Sequence, residues 1–168
     1  VSRVGQYAVE HKSERSYWDQ QLLGLPDYSL CKPRHFQKNC QTITLNCAVT
    51  KQLLQQVGEA YHTEINDILL TALAYALKDW QGGSVQGIVL EGHGREPIDP
   101  RIDLSQTVGW FTTTYPVKLT LQDSLSATIK CIKESLRSIP HKGLGYGALR
   151  SLDDRLPPIS FNYLGQFD

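Results

Sequence analysis

The apolar residues between Glu64 and Gln81 recur at helical spacing, and this pattern predicts the longest helix of the chain. Thr63 is the predicted N-cap, and Gly82 and Gly83 are predicted to end the helix. Its apolar side chains share one broad stripe: Ile65, Ile68, Leu69, Ala72, Leu73, Ala76, Leu77 and Trp80. A stripe of this composition is expected to pack into the core and not to bind a cofactor.

The remaining elements are predicted from shorter patterns. Strands are expected where polar and apolar residues alternate or a short apolar run stands alone: Gln41–Thr50, Ser84–Leu90, the later part of Thr107–Thr120, and Ile159–Leu164. Further helices are expected after capping residues: Ser13–Leu23, Thr50 to Tyr61, and Asp123 or Ser124 to Arg137. Because strands and helices alternate along the chain, the predicted fold class is α/β.

Length and charge narrow the classes of function. The chain has 168 residues, which is typical of one domain. Its 17 Lys and Arg residues balance its 17 Asp and Glu residues, so no net field favours nucleic acid or an anionic membrane. No apolar stretch approaches the roughly 20 residues that span a bilayer. The basic run at residues 32–35 is expected to be a solvated loop.

The four cysteines indicate the compartment. Cys31, Cys40, Cys47 and Cys131 show neither C-x-x-C nor zinc-ligand spacing, so they are expected to be reduced and mostly structural. The N-terminal residues lack the apolar core of a signal peptide, and the expected location is the cytoplasm. The chain contains no methionine, so residue 1 is expected to be a cut end.

The stretch EGHGRE, which begins at Glu91, carries the clearest candidate chemistry. A carboxylate at a strand end, beside glycines that leave the backbone uncovered, can approach a substrate and exchange a proton with it. Partial desolvation there would favour its protonated form. The alternatives are a tight turn at Gly92–Gly94, a salt-bridge role for Arg95, and a solvated Glu91. His93 lacks a second ligand at metal spacing, and no dinucleotide loop or nucleophile elbow is present.

Three other motifs are weaker when taken alone. Trp110 and its neighbour Phe111 could line a pocket or pack in the core. The GLGYG stretch ending at Gly147 permits sharp turns or close approach of a ligand. Asn162 and Tyr163 are adjacent on a predicted strand, so at most one of them is expected to face a given cavity.

Taken together, the motifs identify a family. They occur in the order found there: EGHGRE at Glu91–Glu96, TVGWFTTTYPV at Thr107–Val117, IPHKGLGYG at Ile139–Gly147 and FNYLGQ at Phe161–Gln166. The helix opening EINDILLTAL and the earlier SYWDQQLLG are also similar. The chain resembles the epimerization domain of nonribosomal peptide synthetases, a branch of the condensation-domain superfamily.

This resemblance implies a chloramphenicol-acetyltransferase-like lobe with a mixed β-sheet and packed helices. It also implies a tunnel in which an aminoacyl or peptidyl thioester loses and regains its Cα proton. Glu91 matches the family's catalytic glutamate. His93, Asn162, Tyr163 and Trp110 are the implied substrate-binding residues, with His93 positioning the loop. No resident cofactor or metal is implied, because the carrier domain supplies the phosphopantetheine arm.

The family places a second acid or base, the latter histidine of an H-H-x-x-x-D motif, in the other lobe, and this chain has no adjacent pair of histidines. Residues 1–168 are therefore expected to be a C-terminal lobe, with the lobe-crossing segment at about residues 1–40. The implied partners are the carrier domain and the N-terminal lobe, and the isolated chain is expected to be inactive. A non-catalytic carrier-docking or inter-domain module, or a peptide-bond-forming condensation domain, are the alternative functions.

Overall fold

A computed structural model describes residues 3–28, 39–97, 103–150 and 156–165. Seven helices are assigned in these ranges: α1 (Arg3–Glu10), α2 (Glu14–Leu22), α3 (Cys47–Gln55), α4 (Val57–Tyr61), α5 (Ile65–Gln81), α6 (Leu125–Arg137) and α7 (Tyr146–Leu149). The strands are β1 (Val85–Gly92), β2 (Thr113–Thr120) and β3 (Ser160–Phe161), and a 3-10 turn spans Pro140–Gly143. The predicted α/β class is confirmed.

The three strands form one mixed sheet in the order β2-β1-β3. β1 and β2 are antiparallel, and Ile88 lies opposite Val117 in their register. β1 and β3 are parallel, with Leu90 opposite Phe161. The short β3 therefore stands beside the C-terminal end of β1, where the EGHGRE stretch begins.

The core lies between this sheet and helices α2, α5, α6 and α7. It consists of apolar side chains from every one of these elements: Trp18, Leu70, Ala74, Leu77, Ile88, Tyr115, Val117, Leu119, Leu121, Ile132 and Tyr146. The α6 helix begins as predicted, because the Ser124 side chain accepts a hydrogen bond from the backbone N–H of Ala127 at 3.2 Å. Among the described residues, no helix is long and apolar enough to cross a membrane.

The predicted strand at Gln41–Thr50 is wrong. Residues 41–46 form no regular secondary structure, and α3 begins at Cys47. The side chain of Asn46 accepts a hydrogen bond from the N–H of Val49 at 2.9 Å, which satisfies a helix N-terminus and competes with an extended backbone. Ile43 is 90% exposed, so this apolar side chain of the alternating pattern packs against no surface among the described residues.

The long helix α5 is confirmed, but its cap and its buried face are not those predicted. The N-cap is Glu64 and not Thr63, and the side chain of Asp67 accepts the Glu64 N–H at 2.9 Å. Leu77 is buried as expected, whereas three other members of the predicted stripe are exposed: Ala72, Ala76 and Trp80. Leu70 and Ala74, which the predicted stripe did not include, are buried in the core together with Leu77, and Leu73 is partly buried.

The cysteines are less buried than predicted. Cys40 and Cys47 are free and exposed, so they are not core residues, and Cys131 is free and half-buried. Cys31 and the basic run at residues 32–35 lie outside the described residues.

The Tyr28 side chain forms two hydrogen bonds with residues of β1. Its hydroxyl donates to Gln86 Oε1 at 3.0 Å and accepts from the Gly87 N–H at 2.8 Å, and both bonds are buried. We expect Tyr28→Phe to lower the free energy of unfolding by about 1–3 kcal/mol, because two buried polar groups lose their partner. The urea midpoint measures this loss. Tyr61→Phe is the control, since its hydroxyl has no partner among the described residues; an equal effect of both changes would contradict the prediction.

Candidate active site

A cavity of about 500 Å³ opens at the C-terminal ends of β1 and β3. Helices α5 and α6 and the connector that follows α6 complete its wall. The lining is mixed in charge. Acidic groups come from Glu64, Asp67, Glu91 and Glu96, and cationic groups come from Arg137 and Lys142.

The parallel pairing of β1 with β3 places Asn162 beside Glu91. Leu90 lies opposite Phe161, so Glu91 and Asn162, the residues that follow them in the chain, also lie near each other. The Asn162 side-chain amide donates to Glu91 Oε2 at 3.2 Å. Glu91 is exposed, so its carboxylate is open to a ligand in the cavity, and the desolvation expected from its sequence position is not observed.

Tyr163 also lines this cavity, contrary to the prediction that Asn162 and Tyr163 face opposite ways. That prediction assumed a strand extending to Leu164. The strand β3 ends at Phe161, so the two-residue alternation of side chains does not apply to Asn162 and Tyr163. Both FNYLGQ side chains that the sequence singled out are thus available to the same ligand.

His93 lines the cavity. Its Nδ1 accepts the backbone N–H of Arg95 at 3.0 Å, and its Nε2 lies 3.0 Å from Glu96 Oε1. An imidazole that accepts at Nδ1 carries its proton on Nε2, which here lies within ion-pair distance of the Glu96 carboxylate but makes no hydrogen bond to it. Both ring nitrogens of His93 therefore face other groups of the same loop.

Arg95 anchors the EGHGRE loop to the segment before β2, and it forms no salt bridge with any described residue. Its Nη1 donates to the Leu104 carbonyl at 2.6 Å, and its guanidinium lies 4.4 Å from the centre of the Phe111 ring. These contacts join two motifs that are separate in the sequence. They support the cavity wall from outside.

The two glycines of this loop make room for neighbouring protein atoms, and Gly92 also lines the cavity. A Cβ at Gly92 would lie 2.8 Å from Thr113 Oγ1 and 3.0 Å from the Lys142 carbonyl oxygen. At Gly94, where φ is +66°, a Cβ would lie 1.6 Å from the Phe111 carbonyl oxygen. At Gly94 the missing side chain therefore allows backbone to pack on backbone, whereas the expectation that the glycines give a substrate space stays a prediction for Gly92.

The connector after α6 supplies Lys142, a cavity residue that the sequence did not single out. Its ammonium lies 3.6 Å from Glu96 Oε1, and its backbone is left-handed with φ 48°. Gly143 follows and lies against Tyr115, another lining residue whose pKa is raised, chiefly by burial. Lys142 lies inside the IPHKGLGYG motif, and this position was the sequence signal that could have marked it as a site residue.

Trp110 does not join the other candidate residues. Its side chain is 90% exposed and is not part of the cavity lining, whereas its neighbour Phe111 packs under Arg95. The structure therefore brings together Glu91, His93, Asn162 and Tyr163. It leaves Trp110 outside.

Comparison with known proteins identifies the family. The family model described as "Condensation domain" matches residues 4–168. The chain belongs to the condensation-domain family. Surfactin synthase subunit 2 of Bacillus subtilis (strain 168) is 47% identical over 167 residues, which cover 92% of this chain and 5% of that protein. Gramicidin S synthase 1 of Brevibacillus brevis is 48% identical over 146 residues, covering 79% of this chain and 13% of that protein.

Solved condensation-family structures share the fold. The epimerization domain from the third module of tyrocidine synthetase B is 40% identical with a TM-score of 0.76, and the match covers 98% of this chain and 41% of that one. The first condensation domain of the CDA synthetase, at 15% identity and a TM-score of 0.59, shows the same fold. The resemblance to epimerization domains and the mixed sheet with packed helices are thus confirmed. The chain spans less than half the length of each of these proteins.

Proposed function

We propose that this condensation-family chain forms the glutamate-bearing part of an epimerase that acts on a carrier-bound aminoacyl or peptidyl thioester. The observation that carries the proposal is the Glu91–Asn162 pair, open to a cavity large enough for the end of a thioester arm. The match to a solved epimerization domain at 40% identity supports it. The carrier domain would supply the phosphopantetheine arm, so phosphopantetheine is part of the substrate and not a resident cofactor.

In the proposed reaction, Glu91 exchanges a proton with Cα of the acyl group. When the Cα–H bond breaks, the proton passes to a carboxylate and the electron pair delocalises onto the thioester carbonyl as an enolate. Return of a proton to the opposite face of Cα inverts the configuration. The Asn162 amide holds the Glu91 carboxylate in place through its hydrogen bond. Tyr163 lines the same cavity and would contact the acyl group.

The second acid or base is proposed to come from outside this chain. Within the described residues, His93 is the one histidine that lines the cavity; its Nδ1 accepts the Arg95 N–H, and its Nε2 lies beside Glu96. A histidine from the rest of the larger domain would fill this role. The isolated chain is accordingly expected not to exchange the Cα proton.

The proposal is tested with the complete synthetase and an L-aminoacyl carrier substrate in heavy water. Deuterium at Cα together with a growing share of the D-thioester supports epimerization. Amide formation between two carrier-bound substrates, without deuterium uptake, would instead indicate a peptide-bond-forming condensation domain. Binding of the carrier without either reaction would indicate a docking module.

The amide of Asn162 is expected to orient Glu91 for proton transfer. In the complete synthetase, Asn162→Ala should lower the exchange rate about tenfold, because a hydrogen bond to a charged group contributes on the order of 1.5 kcal/mol. Single-turnover exchange, measured at saturating carrier, separates this effect from weaker binding. Asn66→Ala is the matched control, since Asn66 lines the same cavity without a hydrogen bond to Glu91. Equal rates for the two variants would contradict the assigned role.

A further inference from the structure

A second group of titratable side chains lies outside the cavity, where α1 and α2 meet the 3-10 turn. It consists of His11, Glu14 and His141, and one ligand atom from each lies within 4.8 Å of the others. His11 and Glu14 are three residues apart around the turn that joins α1 to α2, so both can reach the same point. His141 comes from the connector, 127 residues after Glu14.

Glu14 is the buried centre of this His11–Glu14–His141 cluster. Its side chain is 9% exposed, and its Oε1 lies 2.9 Å from His141 Nδ1 and accepts the Tyr7 hydroxyl at 2.7 Å. Its Oε2 has no hydrogen-bond partner among the described residues, and no Lys or Arg pairs with it there. A carboxylate removed from water in this way is stabilised by a nearby cation, and the groups that surround Glu14 are a phenol and two imidazoles.

The tautomer of His11 leaves one nitrogen free to bind a cation. Its Nδ1 lies 3.1 Å from the backbone carbonyl oxygen of Tyr7, which can only accept, so Nδ1 carries the proton. Nε2 then presents a lone pair. A histidine whose other nitrogen donates to a backbone carbonyl is the usual arrangement for a metal ligand. The Tyr7 ring stacks on the His11 ring at 3.9 Å and holds its orientation.

The backbone of His141 is also set for this contact. It adopts the left-handed conformation, with φ 42°, which residues other than glycine rarely take. Tyr7 hydroxyl lies 2.6 Å from His141 Nδ1 and so holds the ring beside Glu14. Across the chain, Gly145 leaves room for the Glu14 carboxylate, because a Cβ there would lie 2.4 Å from Oε2.

We propose that His11, Glu14 and His141 form a binding site for one divalent transition-metal ion of the zinc class. Two imidazole nitrogens and one carboxylate oxygen are a ligand set that Zn²⁺ accepts, with the fourth position left to water. Tetrahedral ligand atoms stand about 3.3 Å apart at ordinary Zn²⁺ distances. His141 Nδ1 and Glu14 Oε1 are already 2.9 Å apart, so binding of the ion requires His11 to approach this pair. The Tyr7 hydroxyl keeps its hydrogen bond to Glu14 as an outer support.

A metal bound at this cluster would join the N-terminal helices to the connector that carries Lys142 into the cavity wall. It would therefore stiffen one wall of the proposed active site without touching the substrate. The site does not depend on the proposed epimerase activity, since its residues lie outside the cavity lining.

The test uses the tag-free full chain, titrated with zinc chloride by calorimetry in a reducing buffer. We expect one Zn²⁺ per chain, and we expect His11→Gln and His141→Asn each to raise the dissociation constant at least about tenfold. His62→Asn is the matched control for His141→Asn. Both histidines have left-handed backbones, which asparagine tolerates, and the control should bind zinc like the unchanged chain.

Titration with Co²⁺ distinguishes this site from the exposed thiols of Cys40 and Cys47. Binding at the proposed site gives the visible absorption of tetrahedral Co²⁺ without a thiolate charge-transfer band. Lack of stoichiometric binding, a thiolate band, or unchanged affinity in both His11→Gln and His141→Asn would each overturn the proposal.

Discussion

Replacing Glu91 with Gln is expected to lower Cα proton exchange in the complete synthetase by at least about 100-fold, while the domain remains folded. Glutamine has nearly the same shape, but its amide cannot take up the Cα proton. The side chain of Glu91 is exposed and supports no part of the core, so the change should leave the urea midpoint unaltered. Deuterium uptake at Cα, measured in a single turnover with a loaded carrier, reports the chemical step directly.

Two further variants make the Glu91 result specific. Glu59→Gln removes an exposed carboxylate on α4, away from the cavity, and should exchange at the unchanged rate. Glu91→Asp keeps the carboxylate but shortens its reach toward both Asn162 and the substrate, so intermediate exchange is expected. If Glu91→Gln exchanges as fast as Glu59→Gln, another residue carries the proton and the assignment of Glu91 is wrong.

Gly143→Ala is expected to lower the free energy of unfolding by about 2–5 kcal/mol, the largest stability effect predicted for a single added methyl group. The backbone of Gly143 has φ +83°, which an alanine adopts only at a cost. Its new Cβ would also lie 1.9 Å from Tyr115 Cδ1, and Tyr115 is buried in the core. Displacement of the Tyr115 ring is hindered because it packs on Trp18, with ring centres 6.0 Å apart.

Gly147→Ala in the same GLGYG motif is the control for this prediction. A Cβ at Gly147 meets nothing within 4 Å, and the residue lies inside α7, where alanine is the better helix former. Its urea midpoint should stay the same or rise slightly. If the two alanine variants unfold at the same midpoint, neither the left-handed backbone nor the contact with Tyr115 limits residue 143.

The helices show how far a local pattern reaches. The extent of α5 and the Ser124 cap of α6 could be predicted, because spacing and capping depend on residues within one or two turns. The buried face of α5 could not, because a broad apolar stripe does not reveal which edge meets the sheet. Packing against β1 and β2 selected Leu70, Ala74 and Leu77, and it left Ala76 exposed.

The segment before α3 shows where a local pattern predicts an element that does not form. Its alternation of apolar and polar residues satisfied the pattern of a half-buried strand, yet a strand also needs a neighbour to pair with. No strand among the described residues pairs with it, and the Asn46 cap draws the following residues into a helix. A local signal for capping therefore prevailed over a periodic signal that had no partner.

For the site, the sequence by itself determined which chemistry was available: a carboxylate at a strand end, an amide in FNYLGQ, and the order of motifs that marks the family. Only the tertiary structure decided which of these groups meet. Parallel pairing of β1 with β3 brings Asn162 to Glu91, and the end of β3 at Phe161 lets Tyr163 join them. The same is true of Glu14 and His141, because contacts between residues so distant in the chain follow from packing and register, which no local pattern encodes.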